Sequence, residues 1–187
     1  MSQAKSTLPV YHTSTLEFVT VAKSYCDFLD QLEGMDKAVF LDTMAKLLPL
    51  VYIKASLLPK VDLMLDEAPE TFASEDQYAL LTQVLADLLG NDDVFLEVFH
   101  PDIQLSDTPV ASFISENLAD IWQDLYNFIS IFRIGYEDTM NDALHLCRSN
   151  FENFWGQSLV NVLRALHHCI YSKTDQDDFE VEGEEAE

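Results

Sequence analysis

Residues 136–171 read YEDTMNDALHLCRSNFENFWGQSLVNVLRALHHCIY. Apolar side chains fall at Met140, Leu144, Cys147, Phe151, Trp155, Leu159, Val162, Leu166 and Ile170, always three or four apart. That spacing keeps one face of a helix apolar along the whole stretch, where a strand would alternate residue by residue. Ser149 with Glu152 has the form of a helix start. One bent helix and two helices in line both fit.

The same period recurs upstream. Residues 110–135 carry a stripe at Val110, Ile114, Ile121, Leu125, Phe128 and Phe132 that stops at Gly135, with Asp107 as cap and Pro109 in the first turn. Ser74 with Gln77 is a capping box for a helix running to Leu89. Ser14 with Glu17 gives the same signal before Phe18, Ala22, Tyr25, Leu29 and Leu32, and Gly34 ends that helix. Asp36 caps the next one, DKAVFLDTMAKLLPLVYIKASLLP. Pro49 lies inside it. Proline lacks an N–H and clashes with the preceding turn, so a kink or break is expected near Lys46 to Leu48, with Leu47, Leu48, Val51 and Tyr52 buried around it. VFLEVF, residues 94–99, is too short to classify by period and reads as a short helix capped by Asp92 or Asp93.

Helical segments with short links bury their stripes on one another. Residues 14–173 therefore read as a single all-α domain, an irregular antiparallel bundle of about six helices, one kinked at Pro49. Residues 1–13 read as a flexible arm. Residues 174–187, TDQDDFEVEGEEAE, hold eight acidic residues and no basic one, too little apolar surface to offset ordering entropy, and read as a disordered acidic tail.

Charge narrows the function. The net charge is −23, from 33 acidic residues against 10 Lys and Arg. No Lys or Arg occurs between Lys60 and Arg133, where 72 residues hold 15 carboxylates. Such a surface repels phosphate backbones, so direct nucleic-acid binding is not expected; it suits solubility through net charge first, and beyond that attraction of a basic protein partner or of divalent cations. The three cysteines, Cys26, Cys147 and Cys169, are far apart, without metal or disulfide spacing. No signal-peptide h-region and no membrane-length apolar run are present. A cytoplasmic setting is expected.

Three segments taken together, DKAVFLDTMAKLLPLVYIKASLLP, SENLADIWQDLYNF and MNDALHLCRSNFENFWGQSLVNVLRALH, resemble a bacterial family known only as a domain of unknown function. The likeness spans about residues 15 to 171. It implies an all-helical bacterial cytoplasmic protein, and it brings no activity and no site residues with it.

The polar inventory has several readings. Glu116, Asp120 and Asp124 recur every fourth residue, at about 160°, 120° and 80° from the centre of their helix's stripe, so they drift from solvent towards the core edge as a wet acidic face does. Carboxylate-bridged metal centres use Glu-x-x-His pairs facing a bundle core. Glu97-x-x-His100 and Asp142-x-x-His145 have that form, with Glu116 and Asp120 as further oxygens. His100, however, precedes Pro101, and Asp142 and His145 lie off their helix's apolar stripe. His167 and His168 diverge by about 100° and do not converge with Cys169. Arg164, among Val160, Leu163 and Leu166, is expected to be largely buried and paired with Asp124, or with Glu137 as second choice. Alternatively it lines an anion pocket with Gln157 and Asn161. Trp122 and Tyr126 form an i, i+4 pair on a helix flank, as a packing or partner surface would.

No phosphate loop, nucleophile elbow, H-E-x-x-H or EF-hand loop is present, and no cofactor is expected. The sequence reads as a non-enzymatic acidic protein-interaction or accessory module. A metal-dependent carboxylate/histidine bundle is the first alternative, and a DNA-mimic-like binder of a basic partner the second.

Overall fold

The computed structural model describes residues 8–96 and 110–172. The chain is predominantly α-helical: α1 (Thr13–Leu29), α2 (Lys37–Ser56), α3 (Glu75–Leu89), α4 (Ile114–Ile134), α5 (Glu137–Asn150) and α6 (Gly156–Tyr171). A short antiparallel ribbon, β1 (Val94–Leu96) with β2 (Ala111–Phe113), precedes α4. Helix α4 is the hub and packs against α1, α3, α5 and α6, while α2 lies against α1 and α6. Its burial follows from its sequence. Of the expected stripe Ile114, Ile121, Leu125 and Phe128 are buried and Phe132 is half-buried, and Ser115, Leu118, Ala119, Trp122, Ile129 and Ile131 are buried as well. In the core the Tyr25 hydroxyl donates to the Leu118 carbonyl at 2.9 Å, tying α1 to α4.

Helices α5 and α6 form one continuous helical run, joined by a π turn at Phe151–Trp155. Gly156 permits it: a Cβ there would sit 2.4 Å from the Phe151 carbonyl oxygen. At Gly135 the backbone turns left-handed (φ 85°), and its N–H closes α4 onto the Ile131 carbonyl at 3.2 Å.

Several local readings hold. Asp36 caps α2 through the Ala38 and Val39 N–H groups, and Ser74 with Gln77 forms the reciprocal capping box. Others are corrected. Helix α1 begins at Thr13, capped by His12, whose Nδ1 accepts from the Ser14 N–H at 3.3 Å. Glu17 reaches instead to Lys54 on α2 at 2.7 Å. Residues 8–12, read as part of a loose arm, fold as a 3-10 turn over Pro9–Tyr11 with Val10 buried. Of the kink or break expected at Pro49, the break does not occur, and α2 is helical from Lys37 to Ser56 with the proline inside it. Leu48 and Val51 are buried as expected, Leu47 is half-buried, and Tyr52 is exposed, edge-on to the Phe151 ring at 5.2 Å. One missing backbone bond does not outweigh the buried stripe that continues on both sides of it.

VFLEVF does not begin a helix. Val94, Phe95 and Leu96 pair with Phe113, Ser112 and Ala111, so β-branched and aromatic side chains found a strand partner that local period could not show. Consequently α4 starts at Ile114, and Val110 precedes β2. Asp93, one of the two caps expected for a helix at VFLEVF, is buried and caps α4 from outside. Its carboxylate accepts the Ser115 N–H at 2.7 Å and the Ser115 hydroxyl at 2.8 Å. Asp107, Pro109, Glu97, His100 and the tail at 174–187 lie outside the described residues.

Candidate interaction surface

Arg164 does not sit where its sequence neighbours placed it. It is exposed, and among the described residues it pairs with no carboxylate; its Nη2 donates to the Leu96 carbonyl at 2.9 Å. The buried stripe of α6 is Leu159, Val162 and Leu166, and Arg164 lies about 200° from each of the last two. Its sequence neighbours misled: Val160 is exposed and Leu163 only half-buried. The other members of that cluster are dispersed. Asp124 accepts from Asn150 at 2.9 Å, Glu137 lies beside Tyr11, and Gln157 donates to Asn161 at 3.0 Å. Arg164 does line a groove between α2 and α6 with Lys46 and His167, but Gln157 and Asn161 do not.

Asp142 and His145 have a clear structural task. The connection between α2 and α3, residues 57–74, has no regular secondary structure, so its main-chain polar groups need partners from elsewhere. Helix α5 supplies them in a ladder. Arg148 donates to the Leu58 carbonyl, His145 Nδ1 to the Val61 carbonyl at 2.7 Å, and Asn141 to the Asp62 carbonyl at 2.7 Å. Asp142 then accepts the Met64 N–H at 2.7 Å and the Leu65 N–H at 2.9 Å. Its side chain is fully buried. Burial pushes the carboxyl up, but these two N–H groups, Asn141 and the neighbouring His145 outweigh it and hold the group below its ordinary range. The far end of the connection is pinned by Asn127 of α4, which accepts the Phe72 and Ala73 N–H groups at 2.6 and 2.8 Å.

The result is a fixed strap, residues 58–65, with its outer side chains in water. Leu63 and Met64 are 57% and 58% exposed, flanked by exposed Asp62, Asp66 and Glu67. Among the described residues no three His, Cys, Asp or Glu side chains gather as metal ligands would. Burial pushes the thiols of Cys26 and Cys147 up, so neither is a thiolate near neutrality.

The acidic side of α4 drifts inward as its angles require. Glu116 and Asp120 are exposed and Asp124 is half-buried. Asp120 accepts from Tyr78 of α3 at 2.8 Å. Asp124 is pushed up to about 6, by burial and by Asp120, against the opposing bond from Asn150. These carboxylates tie α4 to α3 and α5.

A second apolar feature is a groove of about 760 Å³ between the C-terminal end of α1, the α1–α2 turn and α3. Helix α3 buries Leu85 and Leu89. Its Leu81, Val84 and Leu88 form another stripe, half-buried, along the groove, and Leu29 and Met35 form the opposite wall. Trp122 lines it too; that side chain is buried, stacks on Tyr126 at 4.9 Å, and has an indole N–H without an acceptor among the described residues. Asp30, Glu33 and Asp87 also line the groove, and no Lys, Arg or His does.

Sequence reasoning missed both the strap and the groove. The ladder residues Asn141, Asp142, His145 and Arg148 do recur at helical spacing, which marks a polar face with a common task. Nothing local names the partner 77 to 90 residues away in sequence.

Comparison with known proteins gives a family and no activity. The model of the domain of unknown function DUF5063 matches residues 9–172, so this chain belongs to that family. It is similar to a solved structure, protein BF1032 from Bacteroides fragilis, with 43% identity, a TM-score of 0.78, and coverage of 88% of this chain and 96% of that one. A search of the curated proteins finds no match. Among the described residues no helix is long and apolar enough to cross a membrane.

Proposed function

We propose that this member of a family without assigned activity is a non-enzymatic recognition module. It acts in the cytoplasm and engages a basic protein partner through the strap and the acidic surface around it. The observation that carries this reading is Asp142. A buried carboxylate is costly unless fully bonded, and this one is committed to two main-chain N–H groups of a segment whose Leu63 and Met64 side chains face water. Fixing an exposed apolar segment before binding removes ordering entropy from the binding step. Asp62, Asp66 and Glu67 beside it favour a cationic partner. Three cysteines without a disulfide support the reducing compartment.

The test is affinity capture from a bacterial lysate at low and high salt. The wild-type chain is compared with a Leu63→Ser, Met64→Ser double variant, whose exposed side chains leave the fold unchanged. A salt-sensitive basic protein should be captured by the wild type and lost from the variant. Equal capture by both would remove the strap from the reading.

A further inference from the structure

We infer that the groove between α1 and α3 receives a basic amphipathic helix of a partner protein, at a site separate from the strap. The first ground is a stripe left half-open. Helix α3 packs chiefly on α4, and Leu81, Val84 and Leu88 recur at three and four residues on a flank that stays half-buried along the groove. Leu80, at the edge of the groove, is 66% exposed. A stripe at that spacing, facing a second apolar wall at Leu29 and Met35, is the shape that takes the apolar face of a helix.

Charge selects the occupant. Helix C-termini carry negative dipole ends and favour cations in their last turn. Neither α1 nor α3 has a basic residue in its own last turn, although Lys37 of α2 reaches the end of α3. Asp30 caps α1 and Asp87 lies in the last turn of α3, each adding a full negative charge where the dipole is already negative, with Glu33 between the two helices. Lys37, which donates to the Leu89 carbonyl at the end of α3 and pairs with Asp92, is not among the groove's lining. Burial first, and then Asp27 beside it, push the Asp30 carboxyl up although Lys23 opposes, and the groove's lining holds no positive charge of its own. A partner bearing Lys or Arg on the flanks of an apolar stripe supplies it. A second copy of this chain, at net charge −23, would bring like charge to the rim.

The experiment uses the full chain and two synthetic 18-residue helical peptides with the same leucine face, one with Lys on its polar face and one with Glu. Backbone amide shifts map the contact, and calorimetry gives the affinity. The Lys peptide should bind with shifts confined to the end of α1, the α1–α2 turn and α3; the Glu peptide should not bind. Neutralising the rim with Asp30→Asn, Glu33→Gln and Asp87→Asn should weaken binding at least tenfold. Neutralising three exposed carboxylates that do not line the groove, with Asp42→Asn, Glu116→Gln and Asp138→Asn, should change it less than twofold. Leu80→Glu, at an exposed position that leaves the fold intact, should also weaken binding at least tenfold. Equal loss from the two neutralised variants would mean diffuse attraction to net charge and would overturn the proposal. So would shifts centred elsewhere, or a concentration-dependent dimer whose interface is the groove.

Discussion

Replacing Asp142 by Asn keeps the shape of the side chain and removes one acceptor. The carboxylate accepts from Met64 at 2.7 Å and from Leu65 at 2.9 Å, one N–H on each oxygen. An amide can accept only one of them, and its NH₂ meets the other donor to donor. Two buried donors then lack acceptors, each costing about 1–3 kcal/mol, while removal of a buried charge returns part of that. A net loss of about 3 kcal/mol follows, or about 6–12 °C in Tm for a domain of this size. Native-state hydrogen exchange separates local from global effects. The Met64 and Leu65 amides should exchange up to about 100-fold faster, whereas amides in the middle of α4 should follow only the global change. The pH dependence is fixed in sign. The folded pKa lies below the ordinary 3.8, so the stabilisation is present above that value and lost as pH falls through the folded pKa. The gap between wild type and variant should hold from neutral pH down to about 5 and close only below 3.8. Unchanged exchange at Met64 and Leu65, or a gap that closes near pH 6, would refute the clamp.

Gly156→Ala places a Cβ 2.4 Å from the Phe151 carbonyl oxygen and 2.9 Å from its ring, so it should cost about 2–3 kcal/mol, read as a lower Tm by circular dichroism; an unchanged Tm would mean that the π turn relaxes freely. Asp124 binds its proton more tightly when folded, with a pKa raised to about 6, so its ionisation weakens the fold as pH rises from about 4 to 6. Asp124→Asn should therefore raise Tm at pH 8, leave it nearly unchanged near pH 4, and flatten the melting profile between; a lower Tm at pH 8 would contradict the assignment. Arg164→Met should cost under about 1 kcal/mol in denaturant unfolding, because an exposed guanidinium bonded to a carbonyl contributes little. A loss of several kcal/mol would point to a buried pairing.

What the sequence determined by itself was whatever depends on neighbours within a turn or two. The unslipped apolar phase from Met140 to Ile170 dictated helix, because three-and-four spacing makes one wet and one dry face whatever the partner. The Ser74–Gln77 box and the Asp36 cap were legible because both partners lie within three residues. The inward drift of Glu116, Asp120 and Asp124 followed from helix geometry alone. Tertiary structure decided the rest. Val94–Leu96 became a strand only because Ala111–Phe113 offers it an edge. Arg164 faces water because the stripe that α2 and α4 bury is Leu159, Val162 and Leu166, and sequence adjacency to Val160 carries no burial. Asp142 looked like half of a ligand pair until the strap arrived beside it. A carboxylate accepts from whatever donors the fold delivers, and main-chain N–H groups are present in every segment and marked in none.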